Sequence, residues 1–203
     1  MKKVAILGGT FNPIHHGHIV ILQQLNDSKV FDEIWIMPAG QQPFKQEIKE
    51  TKAARQHMCQ LVCNELSFVR LSTIEIDQEG PSYTFDTLSQ LSEEYKDTLF
   101  YWTIGYDNLN SILHWYKSDE LLMRYPFIIV NRGGYLSEKA ESLLAHIEAT
   151  YSTQFVKITM PSIELSSSLL RERVQKKQSL VGFTLQSIID YIETKGLYQI
   201  IEE

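Results

Sequence analysis

The 203-residue chain is poor in three things. It has two cysteines, Cys59 and Cys63, four residues apart, too few for a disulfide scaffold and at a spacing that suits one helix. It has no basic excess: 19 Lys and Arg against 25 Asp and Glu give a formal charge of −6, which argues against a broad nucleic-acid surface. It also lacks a long apolar run. The first one, Val4–Leu7, is stopped by Gly8-Gly9 and is too short for an export signal or a membrane span. These absences point to a reduced, cytoplasmic protein with neither a membrane nor a nucleic acid as partner. They leave room for a small anionic ligand held by a few placed cations.

What is present is ordinary core material, 43% hydrophobic residues against 22% charged, arranged as an alternation. Short apolar runs at Val4–Leu7, Ile34–Met37, Phe68–Leu71, Leu99–Ile104, Phe127–Val130 and Phe155–Ile158 read as strands. Between them lie helical patterns: one from about Gly17 with Ile19, Ile21, Leu22 and Leu25, one from Thr51 with Ala54, Met58 and Val62, and one from Tyr83 to Tyr95. Others fall at Leu121-Leu122, Glu138–Ala149 and Thr184–Lys195, the last ending at Gly196. Such an alternation predicts a mostly parallel sheet with helices on both faces. No repeat or long linker divides the chain, so residues 1–203 read as a single domain, with about 167–203 as a helical C-terminal portion. In these sheets ligands bind beyond the strand C-termini where strand order reverses, which directs attention to the loops after Leu7, Met37, Ile104 and Val130.

The densest chemical text follows the first strand: Gly8-Gly9-Thr10-Phe11-Asn12-Pro13-Ile14-His15-His16-Gly17-His18. Two glycines permit a sharp turn and close approach of the backbone to a ligand. His15 and His18 bracket the start of a helix, whose unpaired amides and field favour phosphate. Imidazoles beside those amides can donate to phosphoryl oxygens as charge develops. Neither the Rossmann glycine fingerprint nor the phosphate loop ending in Gly-Lys-Ser/Thr is present, which weighs against dinucleotide oxidoreductases and P-loop ATPases. His57, Cys59 and Cys63 do not fall cleanly on one helical face, so buried or half-buried thiols beside a surface histidine are favoured over zinc.

His15, Gly17 and His18 match the His-x-Gly-His mark of a nucleotidyltransferase superfamily. The wider text resembles the bacterial nicotinate-nucleotide adenylyltransferase family. The resemblance runs through Gly8–His18, Gly80-Pro81-Ser82-Tyr83-Thr84-Phe85-Asp86-Thr87-Leu88, Ile104-Gly105-Tyr106-Asp107 with Trp115, and Asn131-Arg132-Gly133. It continues through Leu165-Ser166-Ser167-Ser168-Leu169-Leu170-Arg171-Glu172-Arg173 to Tyr191-Ile192 and Leu197-Tyr198, nearly the full chain.

The resemblance implies a Rossmann-like α/β fold. It implies magnesium-dependent transfer of AMP from ATP to nicotinate mononucleotide, giving nicotinate adenine dinucleotide and pyrophosphate in NAD biosynthesis. His15 and His18 would contact the ATP phosphates, with Lys45 approaching from the loop after the second strand. Ser167, Ser168 and Arg171 would hold the β- and γ-phosphates, although a plain helix cap explains the serines as well. Gly8, Gly9, Thr10, Phe11, Gly105, Asp107 and Arg132 would surround ATP, Asp107 taking the ribose hydroxyls unless it serves as a helix cap. Tyr83, Thr84 and Trp115 would meet the pyridine mononucleotide, Trp115 by stacking. Magnesium would ride on phosphate and water with no protein ligand set.

The sequence departs from the family at Asn12, Gln42, Phe44, Glu79 and Ser168, where aspartate, proline, histidine, a basic residue and threonine are commoner. Nicotinamide mononucleotide as acceptor, another small nucleotidyltransferase such as one acting on phosphopantetheine, and a non-catalytic nucleotide-binding protein of the same fold stay open. So does assembly into a homo-oligomer.

Overall fold

The computed structural model describes residues 1–41, 52–133 and 137–199, with the backbone alone at Asp107 and Arg132. Six strands form one sheet: β1 (Lys2–Gly9), β2 (Glu33–Pro38), β3 (Val69–Leu71), β4 (Thr98–Gly105), β5 (Phe127–Arg132) and β6 (Phe155–Met160). Their spatial order is β3-β2-β1-β4-β5-β6 and every neighbouring pair is parallel. The chain winds outward from β1 to β3, then returns to lie β4 on the other side of β1. Strand order therefore reverses between β1 and β4, and the crevice beyond their C-terminal ends is bounded by Gly9 and Gly105. Of the four loops that the sequence offers, those after β1 and β4 flank the reversal; those after β2 and β5 lie one strand further out.

Helices cover both faces: α1 (His16–Asp27), α2 (Lys52–Glu65), α3 (Thr84–Glu94), α4 (Ser118–Arg124), α5 (Glu138–Tyr151), α6 (Ser167–Gln175) and α7 (Gln186–Lys195). The strands explain why. Side chains alternate across a strand, so in β1 Ala5 and Leu7 enter one core with Ile34, Ile36, Ile128 and Val130. Val4 and Ile6 enter the other with Trp35, Met37, Phe100, Trp102 and Ile129. With both faces apolar, neither can meet water, and each takes a helical layer. The first core receives Leu22 and Leu25 of α1, Met58 and Val62 of α2, Leu170 of α6 and Ile188 of α7. The second receives Leu88 of α3, Leu122 of α4 and Leu144 of α5.

Several sequence expectations shift. Ile19 is half-buried and outside the core, where Ile21, Leu22 and Leu25 carry the apolar face of α1. A 3-10 helix over Tyr106–His114, invisible to a search at period 3.6, follows β4 and buries Leu109 and Ile112. The last helix begins at Gln186, not Thr184, because Thr184 is buried with its hydroxyl on the Ile14 carbonyl. His57 is exposed and stacks on Tyr191 at 4.3 Å, pointing away from any thiol site. Among the described residues no helix is long and apolar enough to cross a membrane.

Candidate functional site

β1 delivers the chain to the sheet's C-terminal edge, and residues 10–15 turn from it into α1. Phe11 takes a left-handed backbone conformation, φ 50°, which folds its ring back under the loop. That ring is 1% exposed and meets the His18 ring edge-on, centroids 5.0 Å apart. Residues 11–15 are all buried, so the loop is a built piece of interior and not a solvent-exposed turn.

His15 precedes α1 in extended conformation and His18 stands one turn in, so the rings face each other with centroids 3.8 Å apart. The His15 amide donates to Nδ1 of His18 at 3.2 Å. An Nδ1 that accepts leaves the ring proton of a neutral His18 on Nε2. Gly17 makes this packing possible: a Cβ there would lie 2.9 Å from Cε1 of His15. Two glycines thus have a packing cause where the sequence suggested ligand access. Gly8 leaves space for the Trp102 indole, and Gly9 leaves space for the Phe11 ring, 2.9 Å from where a Cβ would sit. At Gly105 a Cβ would meet no atom nearer than Asn108 Nδ2 at 4.0 Å.

The C-terminal segment closes onto this loop. Arg171 donates through Nη1 to the Asn12 carbonyl at 2.7 Å and through Nη2 to the Ser168 hydroxyl at 3.1 Å. The Ser167 hydroxyl donates to the Pro13 carbonyl at 2.8 Å. Ser166 caps α6 by accepting from the Leu169 amide, which leaves the Ser167 and Ser168 amides as the open donors of the first turn. Two helix N-termini, those of α1 and α6, therefore meet at the end of β1 with two imidazoles and a guanidinium. Nitrogen donors dominate the locus, and it suits a polyanion.

Two of the sequence assignments change in detail. The Ser167 proton is already given to Pro13, so only its amide faces outward; Ser168 accepts from Arg171 and keeps its own proton to donate elsewhere. Arg171 has two nitrogens engaged within the protein, leaving the rest of its fork for a ligand. Thr10 contributes its carbonyl inward, to Arg55.

Arg55 is a residue that the sequence reading missed. It lies on α2, 1% exposed, and donates to the carbonyls of Thr10 at 3.0 Å and Ala39 at 2.6 Å. It thereby ties the loop after β1 to the chain leaving β2. Lys45, with Gln42 and Phe44, belongs to that outgoing chain and lies outside the described residues. Gly40 packs so closely that a Cβ would lie 2.2 Å from the Glu75 carbonyl oxygen. The Glu75 carboxylate is buried and accepts from Thr87 at 2.9 Å. Burial pushes its pKa up, opposed by hydrogen bonds from Thr87 and the Gly40 amide.

On the far side of the crevice, Tyr83 and Thr84 stand at the start of α3 and Trp115 ends the 3-10 helix, half-buried. Tyr83 packs against the exposed Tyr116, centroids 4.6 Å apart. Tyr116 was another residue without a sequence signal, being one more exposed aromatic until the fold places it. Asp107 lies in the first turn of the 3-10 helix beyond β4, and Arg132 is the last residue of β5.

Among the described residues no group of three or more His, Cys, Asp or Glu is arranged to hold a metal. Burial pushes the Cys59 thiol well above its ordinary value and that of Cys63 up to about 11, so neither is poised as a thiolate ligand.

A family model described as cytidylyltransferase-like matches residues 6–173, which takes in the β1 loop, the crevice and α6. The nicotinate-nucleotide adenylyltransferase of Bacillus subtilis (strain 168) is 36% identical over 200 residues, 98% of this chain and 100% of that one. A probable nicotinate-nucleotide adenylyltransferase of Oceanobacillus iheyensis is 35% identical over 198 residues, 98% and 97% of the two chains. Among solved structures, Plasmodium falciparum nicotinic acid mononucleotide adenylyltransferase complexed with NaAD has the same fold, with a TM-score of 0.81 at 24% identity and 98% coverage of each chain. Because the likeness to the bacterial proteins spans both helix N-termini and both sides of the crevice, this chain belongs to the nicotinate-nucleotide adenylyltransferase family.

Proposed function

We propose that the protein transfers AMP from ATP to nicotinate mononucleotide, releasing pyrophosphate and forming nicotinate adenine dinucleotide. The observation that carries this reading is the meeting of the α1 and α6 N-termini on one loop with His15, His18 and Arg171. In this reading that locus, at the point where strand order reverses, takes the polyphosphate of ATP.

In this reading the phosphate oxygen of the mononucleotide attacks the α-phosphorus of ATP. The new phosphorus–oxygen bond forms as the bond to the bridging oxygen breaks, and pyrophosphate leaves with that electron pair. A phosphate monoester is already anionic near neutral pH, so the attack needs no carboxylate base. The protein aligns the two phosphates and stabilises the charge that builds on the α-phosphoryl and leaving oxygens.

In this reading His18 donates to the α-phosphoryl oxygen through Nε2–H; His15 supports its orientation and the triphosphate. The amides of Ser167 and Ser168, the Ser168 hydroxyl and the remaining fork of Arg171 serve the β- and γ-phosphates, with Lys45 from the loop after β2. The ribose of ATP fits beside Gly105 with Asp107 as the hydroxyl acceptor, and Arg132 serves the adenine end. Thr10 acts through its backbone. Tyr83, Thr84 and Trp115 take the pyridine mononucleotide across the crevice, Trp115 offering a flat face to the pyridinium.

Magnesium enters with ATP as part of the substrate. The carbonyls of Asn12, Pro13 and Ile14 accept from Arg171, Ser167 and Thr184, and this reading leaves the ion to phosphate and water, which would supply its ligands.

The test is product formation with ATP and magnesium, comparing nicotinate with nicotinamide mononucleotide by mass-resolved chromatography. The reading expects the acid dinucleotide with stoichiometric pyrophosphate. Preference for the amide would overturn the acceptor, and no product from either would overturn the activity.

A further inference from the structure

The histidine loop is held from behind by residues far away in sequence. Residues 12–14 are buried, so their backbone carbonyls have no water to bond and need donors from the protein. Arg171 supplies one to Asn12 and Ser167 one to Pro13, both at the phosphate site. The other contacts come from beyond it. The Thr184 hydroxyl donates to the Ile14 carbonyl at 2.9 Å, the Phe183 carbonyl accepts from the His16 amide at 2.9 Å, and the Tyr198 hydroxyl donates to Oδ1 of Asn12 at 2.7 Å. Thr184 and Tyr198 are themselves 3% and 6% exposed, so these bonds are made away from competing water.

We propose that Thr184 and Tyr198 are positioning residues for adenylyl transfer, setting the posture of the loop that aims His15 and His18. The Thr184 hydroxyl bonds loop backbone, and the Tyr198 hydroxyl bonds the Asn12 side chain. Each bonds the segment one to six residues ahead of the rings, and between them they bracket it: Tyr198 grips its start at Asn12, and Thr184 with Phe183 grips its end at Ile14 and His16. Posture matters most in the transition state, where a displacement of about 1 Å can cost up to about a hundredfold in rate. Residues 10–15 belong to no regular element, so these side-chain bonds do the work that a ladder does elsewhere. Tyr198 reaches this place just past the end of α7, in a left-handed conformation with φ 66°. The burial of α7 against the first core thereby becomes a constraint on the catalytic loop.

The proposal rests on the adenylyltransferase reading, and its test separates the two. Tyr198→Phe removes one hydroxyl and keeps the ring; Thr184→Val removes the other at constant shape, and Thr184→Ser restores it. The clamp expects kcat to fall about tenfold in Tyr198→Phe and Thr184→Val. The KM for nicotinate mononucleotide, which binds across the crevice, should change less than twofold, and Thr184→Ser should return kcat to near the wild-type value. In the ligand-free protein, the imidazole nitrogen resonances of His18 should report an Nε2–H tautomer. They should shift in the Tyr198→Phe and Thr184→Val variants and stay in place in Thr184→Ser. An unchanged kcat in the folded variants, or a loss in Thr184→Ser as large as in Thr184→Val, overturns the clamp. If the wild type makes no dinucleotide, the activity reading fails and the His18 resonances alone decide: a shift upholds the clamp and unchanged resonances sink it.

Discussion

Gly8 and Trp102 share one space: a Cβ on Gly8 would lie 2.5 Å from Cζ2 of the indole and 2.8 Å from Cη2. Trp102 sits on β4 beside β1 and is 7% exposed, so its rigid ring has nowhere to retreat. Gly8→Ala should therefore cost about 1–3 kcal/mol of stability through overpacking. Urea unfolding reads this directly, and Gly8→Ala combined with Trp102→Phe should lose less than the sum of the two single changes. Additive losses would show that the two residues do not compete.

His18 is half-buried, with Nδ1 accepting from the His15 amide. Its replacement by Ala removes a donor aimed at developing charge and little of the core. Turnover should fall by about 10²–10³, the range seen for a single oxyanion donor, with a small change in melting temperature. Normal turnover by folded His18→Ala protein would remove His18 from the mechanism. His15 differs, being 4% exposed, and His15→Ala should lose stability and turnover together.

Arg55 holds the Thr10 and Ala39 carbonyls from inside the protein. Arg55→Met should cost at least about 2 kcal/mol, since it leaves buried carbonyls without their donor. Arg55→Lys keeps the charge but not the fork that spans two chain segments, so it should recover only part of the loss. Denaturation midpoints check both, and full recovery by lysine would show that charge alone matters.

The strands were legible because their apolar runs are short and bounded, and Val4–Leu7, Ile34–Met37, Leu99–Ile104 and Phe127–Val130 all lie within observed strands. The parallel sheet followed from the helices between them. The histidine loop was legible too, as residue types in a dense pattern. What the pattern hid was cause. Gly8 is small because Trp102 occupies its space, a tertiary fact with no local signature. Arg55 reads in one dimension as a solvated helix residue; its burial appears only when two strand exits converge on it. Thr184 reads as a helix residue until its hydroxyl finds Ile14, 170 positions earlier. Such long-range bonds fix the site's posture, and no window of sequence contains both partners.

Glu75 makes a pH-dependent contribution whose sign follows from its environment. Burial raises its pKa above the ordinary 4.5, with Thr87 and the Gly40 amide opposing. The folded state therefore binds this proton more tightly than the unfolded state. Its contribution to stability is full below the unfolded value and is lost as pH rises through the folded one. Glu75→Gln has no such titration. The stability of the Gln variant relative to wild type should rise as pH increases from the unfolded value upward and then level off, read as the difference in urea midpoints. A pH-independent difference would show that Glu75 titrates as an ordinary carboxylate.

Cys59 and Cys63 offer the sharpest test of whether the lower half of α2 is structural or chemical. Cys59 is fully buried, and Cys63 is partly so with its thiol pushed up to about 11 by that burial. At pH 8 a thiol with that value is roughly one part in a thousand thiolate, whereas an ordinary thiol near 8.5 is about a quarter ionised. Alkylation by iodoacetamide at pH 8 should therefore run more than a hundredfold slower in the folded protein than after denaturation, followed by intact mass. Zinc should leave the unfolding midpoint unchanged, because binding needs deprotonated thiols and His57 is turned onto Tyr191. Fast alkylation of the folded protein, or stabilisation by zinc, would mean that α2 opens at its C-terminal end. Since Val62 and Cys59 belong to the same core as Leu22 of α1 and Ile188 of α7, that opening would loosen the packing that holds both the histidine loop and its C-terminal clamp.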